Sequence, residues 1–205
     1  MRYIDLNGDG IITSGKNTLD DPGDQKVIGN SLPRWQYGLR GNVSWNGWTL
    51  QLFFQGIGHM DWYPGHENMR FWGPYSRPYA SFVPRGFMND VWDEDNTGAY
   101  FPRPRGYAAL TASNGSLYYI NSRYLQNLAY LRLKNISLAY NIPSGAIAKA
   151  GLSEARICFS GENVFTWSAV HGNYVDPEQI SANSDRNGNT YPWYRVFSIG
   201  ISLTF

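Results

Sequence analysis

Long segments in which apolar and polar residues strictly alternate constrain this chain more than any other feature. From Trp35 to Trp45, and again from Phe197 to Phe205, every second residue is apolar or glycine, and the positions between are mostly small or polar. A period of two residues predicts a β-strand with one apolar face. The pattern predicts five strands, at 35–45, 48–56, 130–142, 154–166 and 193–205.

The connections between these segments alternate between short and long. Asn46-Gly47 is a strong signal for a two-residue hairpin, and residues 143–153 form a second short turn with a short helical piece. Residues 57–121 and 168–190 form long loops. Before Lys134–Asn135 the apolar residues of the third strand stand at odd positions, and after it they stand at even positions. An unbroken strand would place the two sets on opposite faces, so we predict a β-bulge there.

Strand length and loop pattern favour a membrane barrel. Strands in soluble sandwiches usually have about five or six residues, whereas a strand that crosses a bilayer needs about 9–11. Short turns at one end and long loops at the other are typical of outer-membrane barrels. We therefore predict an all-β fold: about five C-terminal antiparallel strands of a large transmembrane β-barrel with long extracellular loops. The alternative is a soluble, calcium-dependent, carbohydrate-binding β-sandwich module.

Composition excludes several other classes. The 17 basic and 16 acidic residues nearly balance and form no basic stripe, so we expect no nucleic-acid partner. Cys158 is the single cysteine, and no apolar run is long enough for a transmembrane helix. The order of serine, histidine and acidic residues supports no catalytic arrangement, so we predict that the chain is not an enzyme.

Several motifs, in order along nearly the whole chain, carry a family resemblance. They are DLNGDGIIT at 5–13, DDPGDQKVIGNSLPRWQYGL at 20–39, WTLQLFFQG at 48–56, YLRLKNISLAYNIP at 130–143, SGENVFTW at 160–167, YVDPE at 174–178 and FSIGISLTF at 197–205. The chain resembles the C-terminal end of SusC/RagA-type TonB-dependent outer-membrane transporters of Bacteroidota. The resemblance implies a multi-pass barrel of about 22 strands with a plugged lumen, only partly represented here.

The resemblance also implies partners and a function. These transporters work with a SusD-like surface lipoprotein and import glycans or other oligomeric nutrients, with energy from TonB. We accordingly expect an oligosaccharide or peptide substrate, contact with TonB through a part that is missing from this chain, and location in the outer membrane. Residues 1–34 would form an extracellular acidic loop, and 35–205 the C-terminal part of one incomplete barrel domain.

The acidic loop carries the first half of a calcium-binding pattern. Asp5, Asn7 and Asp9 place side-chain oxygens at alternate positions, Gly10 permits a sharp turn, and the Ile11 carbonyl supplies the next ligand. The expected acid at the twelfth position is absent, because lysine stands there. By resemblance, Asp24, and after it Asp21, is nominated to close a structural Ca²⁺ site. The alternative is an Asx-rich turn without a metal.

The loop 57–121 contains aromatic residues that are candidates for contact with substrate or partner. Aromatic faces stack on sugar rings, and exposed apolar patches mark binding surfaces. The nominated residues are Trp62, Tyr63, Trp72, Tyr75 and Trp92. The alternative, which we favour for any single residue, is that they pack the loop on itself or against the lipoprotein.

Two further predictions follow for the strands. Phe205 resembles the terminal aromatic residue by which barrel assembly machinery recognises its clients, so we predict that it is an assembly signal. Side chains of one parity should face lipid, and these are Tyr37, Leu39, Val43, Leu50, Leu52, Phe54, Leu138, Tyr140, Ile199, Ile201 and Leu203.

Overall fold

The computed structural model describes residues 3–76, 83–104, 117, 119–180 and 189–205. Its strands are β1 Gln36–Trp45, β2 Trp48–Ile57, β3 Asp61–Trp62, β4 Gln126–Asn127, β5 Tyr130–Asn141, β6 Glu154–Ser168 and β7 Val196–Thr204. The α-helices are α1 Met69–Trp72 and α2 Ser144–Ile147, and 3₁₀ turns lie at Gly73–Tyr75, Phe87–Asp90, Ala148–Ala150, His171–Asn173 and Pro177–Gln179. Among these residues no helix has the length and apolar character needed to cross a membrane.

The main sheet contains the five long strands in the order β1-β2-β5-β6-β7, and every neighbouring pair is antiparallel. The five predicted strands are therefore confirmed, with boundaries that differ by at most three residues. β3 and β4 form a separate two-stranded ladder. The described strands form no pair of stacked long sheets, and this disagrees with the sandwich alternative.

The hairpin and the bulge lie where the sequence predicts them. Asn46 and Gly47 both adopt positive φ, 47° and 84°, which a two-residue turn that matches the strand twist requires. Against β2 the register of β5 shifts between Leu133 and Asn135, so that Lys134 is the extra residue of a β-bulge. Against β6, Asn163 and Val164 stand opposite Lys134 alone, and Asn163 has a positive φ of 52°.

Because of this bulge, most of the large apolar side chains of the five strands share one face; Phe53 and Ile57 of β2 lie on the other. One continuous row across the sheet pairs Val43 with Leu50, Leu50 with Leu138, Leu138 with Phe159, and Phe159 with Ile199. All eleven residues predicted to face lipid lie on this face by register. It is largely uncovered in the described structure, and Ile199 is 77% exposed.

The long connections all leave from one end of the sheet, which we call the loop end. Gln36 pairs with Ile57 and Tyr130 with Ser168 at this end, where residues 58–129 and 169–195 depart. The turn 46–47, the turn 142–153 and the end of β7 lie at the opposite end. The long connections therefore lie at one end of the sheet and the short turns at the other, as the alternation of their lengths in the sequence predicts.

The largest hydrophobic core lies in these loops rather than on the sheet. The buried cluster consists of Met60, Trp62, Phe71, Trp72, Tyr75, Phe87, Val91, Phe101, Leu117, Tyr124, Leu128, Val170, Val175 and Ile180. The β3–β4 ladder closes the base of the first long loop, and the Leu128 amide donates to the Met60 carbonyl at 2.8 Å. The second long loop contributes Val170, Val175 and Ile180, so both loops share one core.

Candidate functional site

Three of the five nominated loop aromatics are buried in the shared core. Trp62, Trp72 and Tyr75 are 6%, 0% and 1% exposed. The Trp72 indole N–H lies 3.1 and 3.0 Å from the carbonyl oxygens of Pro64 and Gly65. The Tyr75 hydroxyl donates to the Pro102 carbonyl. In the described structure each of the three rings packs against neighbouring aromatic rings, which is the arrangement of the packing alternative. Their contact with substrate or partner stays a prediction.

The other two nominated aromatics, Tyr63 and Trp92, are partly exposed. The Tyr63 hydroxyl donates to the Tyr119 carbonyl at 3.1 Å and accepts from the Asn121 side-chain amide at 2.9 Å. Burial raises the pKa of Tyr63 above its usual range, so the hydroxyl stays protonated and remains a donor. Contact of either residue with substrate or partner stays a prediction.

A polar joint connects the two long loops. The Nε2 atom of His171 lies 3.1 Å from Oδ2 of Asp90, and the Tyr174 hydroxyl donates to the same oxygen. The His171 ring stacks on Tyr100 with a centroid distance of 3.7 Å. Burial, followed by the neighbouring Asp90 carboxylate, raises the pKa of Tyr174. Because these partners are far apart in sequence, no local motif predicted the joint.

A buried ion network attaches the second long loop to the polar face of the sheet. Nη2 of Arg132 in β5 lies 2.7 Å from Oδ1 of Asp176, and Nη1 contacts Glu178. Nε of Arg132 donates to Thr166 Oγ1 in β6 at 2.9 Å. The Arg132 side chain is 3% exposed. Such burial requires close pairing because an isolated charge in a protein interior is very costly.

Two more residues complete this network. Lys134, the bulge residue, pairs with Glu178, and its ammonium lies 4.9 Å from the centre of the Trp193 ring. The Trp193 amide donates to Oδ2 of Asp176 at 3.2 Å. Asp176 and Glu178 belong to the YVDPE motif, to which the sequence alone assigned no role. The sequence feature that could have indicated the network is the pair of cationic residues, Arg132 and Lys134, close together among the polar positions of a predicted strand.

Beside this network lies an open groove with a volume of about 520 Å³. It is formed by the loop end of β1 and β2, the start of β5 and the turn 177–180. Its lining residues are Gln36, Tyr37, Gly38, Gln55, Gly56, Ile57, Tyr130, Pro177, Glu178 and Ile180. Sequence reasoning did not identify this groove, since its walls come from three distant segments.

The first part of the calcium-like loop adopts Asx-type turns. The Asp5 carboxylate accepts from the amides of Gly8 and Gly10 at 2.6 and 2.8 Å. Asn7 Oδ1 accepts from the Asp9 amide at 3.1 Å, and Asp9 Oδ1 from the Ile11 amide at 2.8 Å. This is the local hydrogen bonding that short acidic and amide side chains favour in turns.

Asp24 connects the two halves of this loop, and it is the residue nominated to close it. Its carboxylate accepts from the amides of Leu6 and Thr13 at 2.6 and 2.7 Å. These amides, Thr13 first, hold the pKa of Asp24 below its usual range. Within the described ranges, no three His, Cys, Asp or Glu side chains converge as a metal site. The runner-up Asp21 lies in the neighbouring turn, where its carbonyl accepts from the Lys16 amide.

Phe205 follows β7 and is 88% exposed. It has the same parity as Leu203 and Ile201 and so continues the apolar row of that strand. Its predicted role in assembly stays a prediction.

Two curated relatives match the whole chain. TonB-dependent receptor P3 of Formosa agariphila is 28% identical over 212 residues, which cover 99% of this chain and 19% of the relative. TonB-dependent receptor P26 of the same organism is 28% identical over 214 residues, which cover 100% of this chain and 19% of the relative. No family model matches the chain.

Solved structures of the RagAB peptide importer share the fold. The open-open state matches with a TM-score of 0.57 and 22% identity, over 99% of this chain and 20% of that chain. A second structure, of the RagAB peptide transporter, matches with a TM-score of 0.56 over 87% of this chain. These relatives are receptors and transporters rather than enzymes.

The chain spans about a fifth of the length of the curated relatives it matches. Their names and the shared fold agree with the resemblance found in the sequence motifs. Over its whole length, therefore, the chain is similar to part of a SusC/RagA-like TonB-dependent transporter.

Proposed function

We propose that the chain forms a section of the wall, with its surface loops, in a TonB-dependent importer of the outer membrane. The observation that carries this proposal is the uncovered apolar face, which is in register across all five strands of the main sheet. A face of this kind suits contact with lipid, while the opposite polar face suits a water-filled lumen. β1 and β7, the outermost strands, would pair with other strands of a closed barrel.

The proposal includes a definite orientation. The loop end faces the outside of the cell, and the end with the turns 46–47 and 142–153 faces the periplasm. Epitope tags inserted singly at Ser14 and Gly145 of the full-length protein test this arrangement. Antibody should label the Ser14 tag on intact cells, and the Gly145 tag only after the outer membrane is permeabilised. Labelling of Gly145 alone on intact cells would contradict the orientation.

The proposed cargo is an oligomeric nutrient, either a glycan-derived oligosaccharide or a peptide. A SusD-like lipoprotein would cover the loop end, and TonB would act through a part of the protein outside this chain. Support comes from the relatives that are named TonB-dependent receptors and from the fold shared with the RagAB peptide importer. Affinity purification of the full-length protein from outer membranes, followed by mass spectrometry, should recover a surface lipoprotein in stoichiometric amount.

We further propose that residues 5–24 bind a structural calcium ion. Asp5, Asn7, Asp9, the Ile11 carbonyl and Asp24 would supply the oxygen ligands. The observation in favour is that Asp24 is held beside Asp5 by the backbone of the same loop. Extracellular sites of about 10⁻⁴–10⁻³ M affinity bind calcium when it is millimolar outside the cell. Calorimetric titration of the purified full-length protein with calcium measures this binding directly.

A further inference from the structure

We propose that Asp176 and Glu178 determine the charge selectivity of the lumen wall, because they mask the positive charges of Arg132 and Lys134. This inference rests on the proposed import function, in which the polar face of the main sheet lines the lumen. It gives the second long loop a role in import: the loop keeps its side of the lumen electrically neutral toward whatever passes.

Without these two acids, the loop-end half of the polar face would be basic. The strands carry three cationic side chains there, at Arg40, Arg132 and Lys134. They carry one acidic side chain, at Glu162. Arg40 and Glu162 lie in one row across the sheet and are both exposed, so their opposite charges already balance. The excess positive charge is therefore that of Arg132 and Lys134.

The turn 175–180 holds the two acids over this part of the wall. Arg132 of β5 shares one row of the sheet with Gly38 of β1, two strands away, and the turn lines the groove together with Gly38. Val175 and Ile180, at the two ends of the turn, are buried in the core of the loops. Because both ends are anchored, the acids stay in place above the wall.

The masking is effective because the opposite charges are in direct contact. Oδ1 of Asp176 lies 2.7 Å from Nη2 of Arg132, and the two Glu178 oxygens contact one cation each. The ammonium of Lys134 also lies 4.9 Å from the centre of the Trp193 ring. The field of a contact pair falls off faster than that of a single charge, and salt screens the remainder within about 8 Å.

This masking matters for import because charged walls select among ligands. A cleft lined by one sign of charge raises the local concentration of molecules of the opposite sign. Two unmasked cations at this end of the lumen would attract anionic molecules and repel cationic ones. With Asp176 and Glu178 in place, we expect this side of the lumen to treat both signs equally.

The test measures the local potential with small thiol reagents on intact cells that express the full-length protein. The probe position is Gly38→Cys in a Cys158→Ser background, because a Cβ at residue 38 would make only an ordinary 3.4 Å contact with Phe53. The readout is the rate of modification by an anionic methanethiosulfonate divided by the rate with a cationic one. Ser14→Cys in the first loop, which is exposed, gives the reference ratio for free access.

The double variant Asp176→Asn/Glu178→Gln should raise this ratio about fivefold, since two unmasked charges would lie about 10 Å from residue 38. Lys134→Met should lower it about twofold, because it leaves one acid uncompensated while Arg132 still holds the turn. The matched control is Glu162→Gln, which removes an exposed acid three strands away from Gly38. It should change the ratio by less than about 1.5-fold.

Opposite shifts in the acid variant and the lysine variant support the inference. Shifts in the same direction would show that the substitutions only loosen the loop, and would overturn it. Unchanged ratios, or a thiol at position 38 that neither reagent reaches, would overturn it as well. If immunoblots show that the double variant is absent from the outer membrane, Lys134→Met decides in its place. The tag experiment tests orientation separately, so failure of the masking is distinguishable from failure of the import function.

Discussion

Replacing Arg132 with methionine should release the second long loop from the sheet. The substitution keeps most of the apolar stem but removes the charge that faces Asp176 and Glu178. Breaking a buried ion pair by removing one partner costs about 3–5 kcal/mol. Asp176 would keep two backbone donors, from Glu178 at 3.1 Å and Trp193 at 3.2 Å, and Glu178 would keep Lys134. We therefore expect the lower end of that range, about 3 kcal/mol.

Hydrogen exchange of the full-length protein in detergent measures this effect locally. At about 1.4 kcal/mol per tenfold change, amides in residues 170–180 should exchange about a hundredfold faster in the variant. The matched control is Arg156→Met, the same change at an exposed arginine on the polar face of β6, for which we expect unchanged exchange. Unchanged exchange in the Arg132 variant would refute the reasoning and show that Val170, Val175 and Ile180 alone hold the loop.

Three further predictions test other parts of the chain. Ile201→Arg on the apolar face should destabilise the full-length protein by about 2–4 kcal/mol in a membrane-folding assay, and Ser202→Arg on the polar face by less; equal losses would contradict the assignment of faces. Deletion of Phe205 should lower the amount of the protein in the outer membrane more than it lowers the rate of its synthesis. Immunoblots of membrane fractions and pulse-labelling of cells measure the two quantities, and an unchanged amount in the outer membrane would contradict the assembly role. Asp24→Asn should weaken calcium binding by calorimetry, whereas Asp21→Asn should not, because only Asp24 bridges Leu6 and Thr13.

Strand positions could be predicted because the period of two residues is a local signal. The hairpin at Asn46-Gly47 and the bulge at Lys134 were predictable for the same reason: turn chemistry and a change of parity are both visible within a few residues. The pairing of β2 with β5 follows less directly, since more than 70 residues separate them, and only the regular long-short alternation of connections indicated it.

The site was less predictable because its contacts join distant residues. Nothing near Asp90 indicates that it will meet His171, and nothing near Arg132 indicates that it will meet Asp176. The loop aromatics show a related difficulty. Composition marks Trp72 as a residue suited to binding, but whether its ring is exposed depends on neighbours such as Phe101 and Tyr124, which come from elsewhere in the loop.

The β3–β4 ladder has a consequence for how such chains diversify. Because Met60 and Leu128 are hydrogen-bonded neighbours, the excursion between them begins and ends at nearly one point, and its length adds little to the entropy of joining β2 to β5. The segment between Met60 and Leu128 could therefore be replaced by another sequence, in evolution or by engineering, without altering the register of β2 and β5. A replacement must still offer an apolar surface to Val170, Val175 and Ile180, so the two long loops are expected to change together.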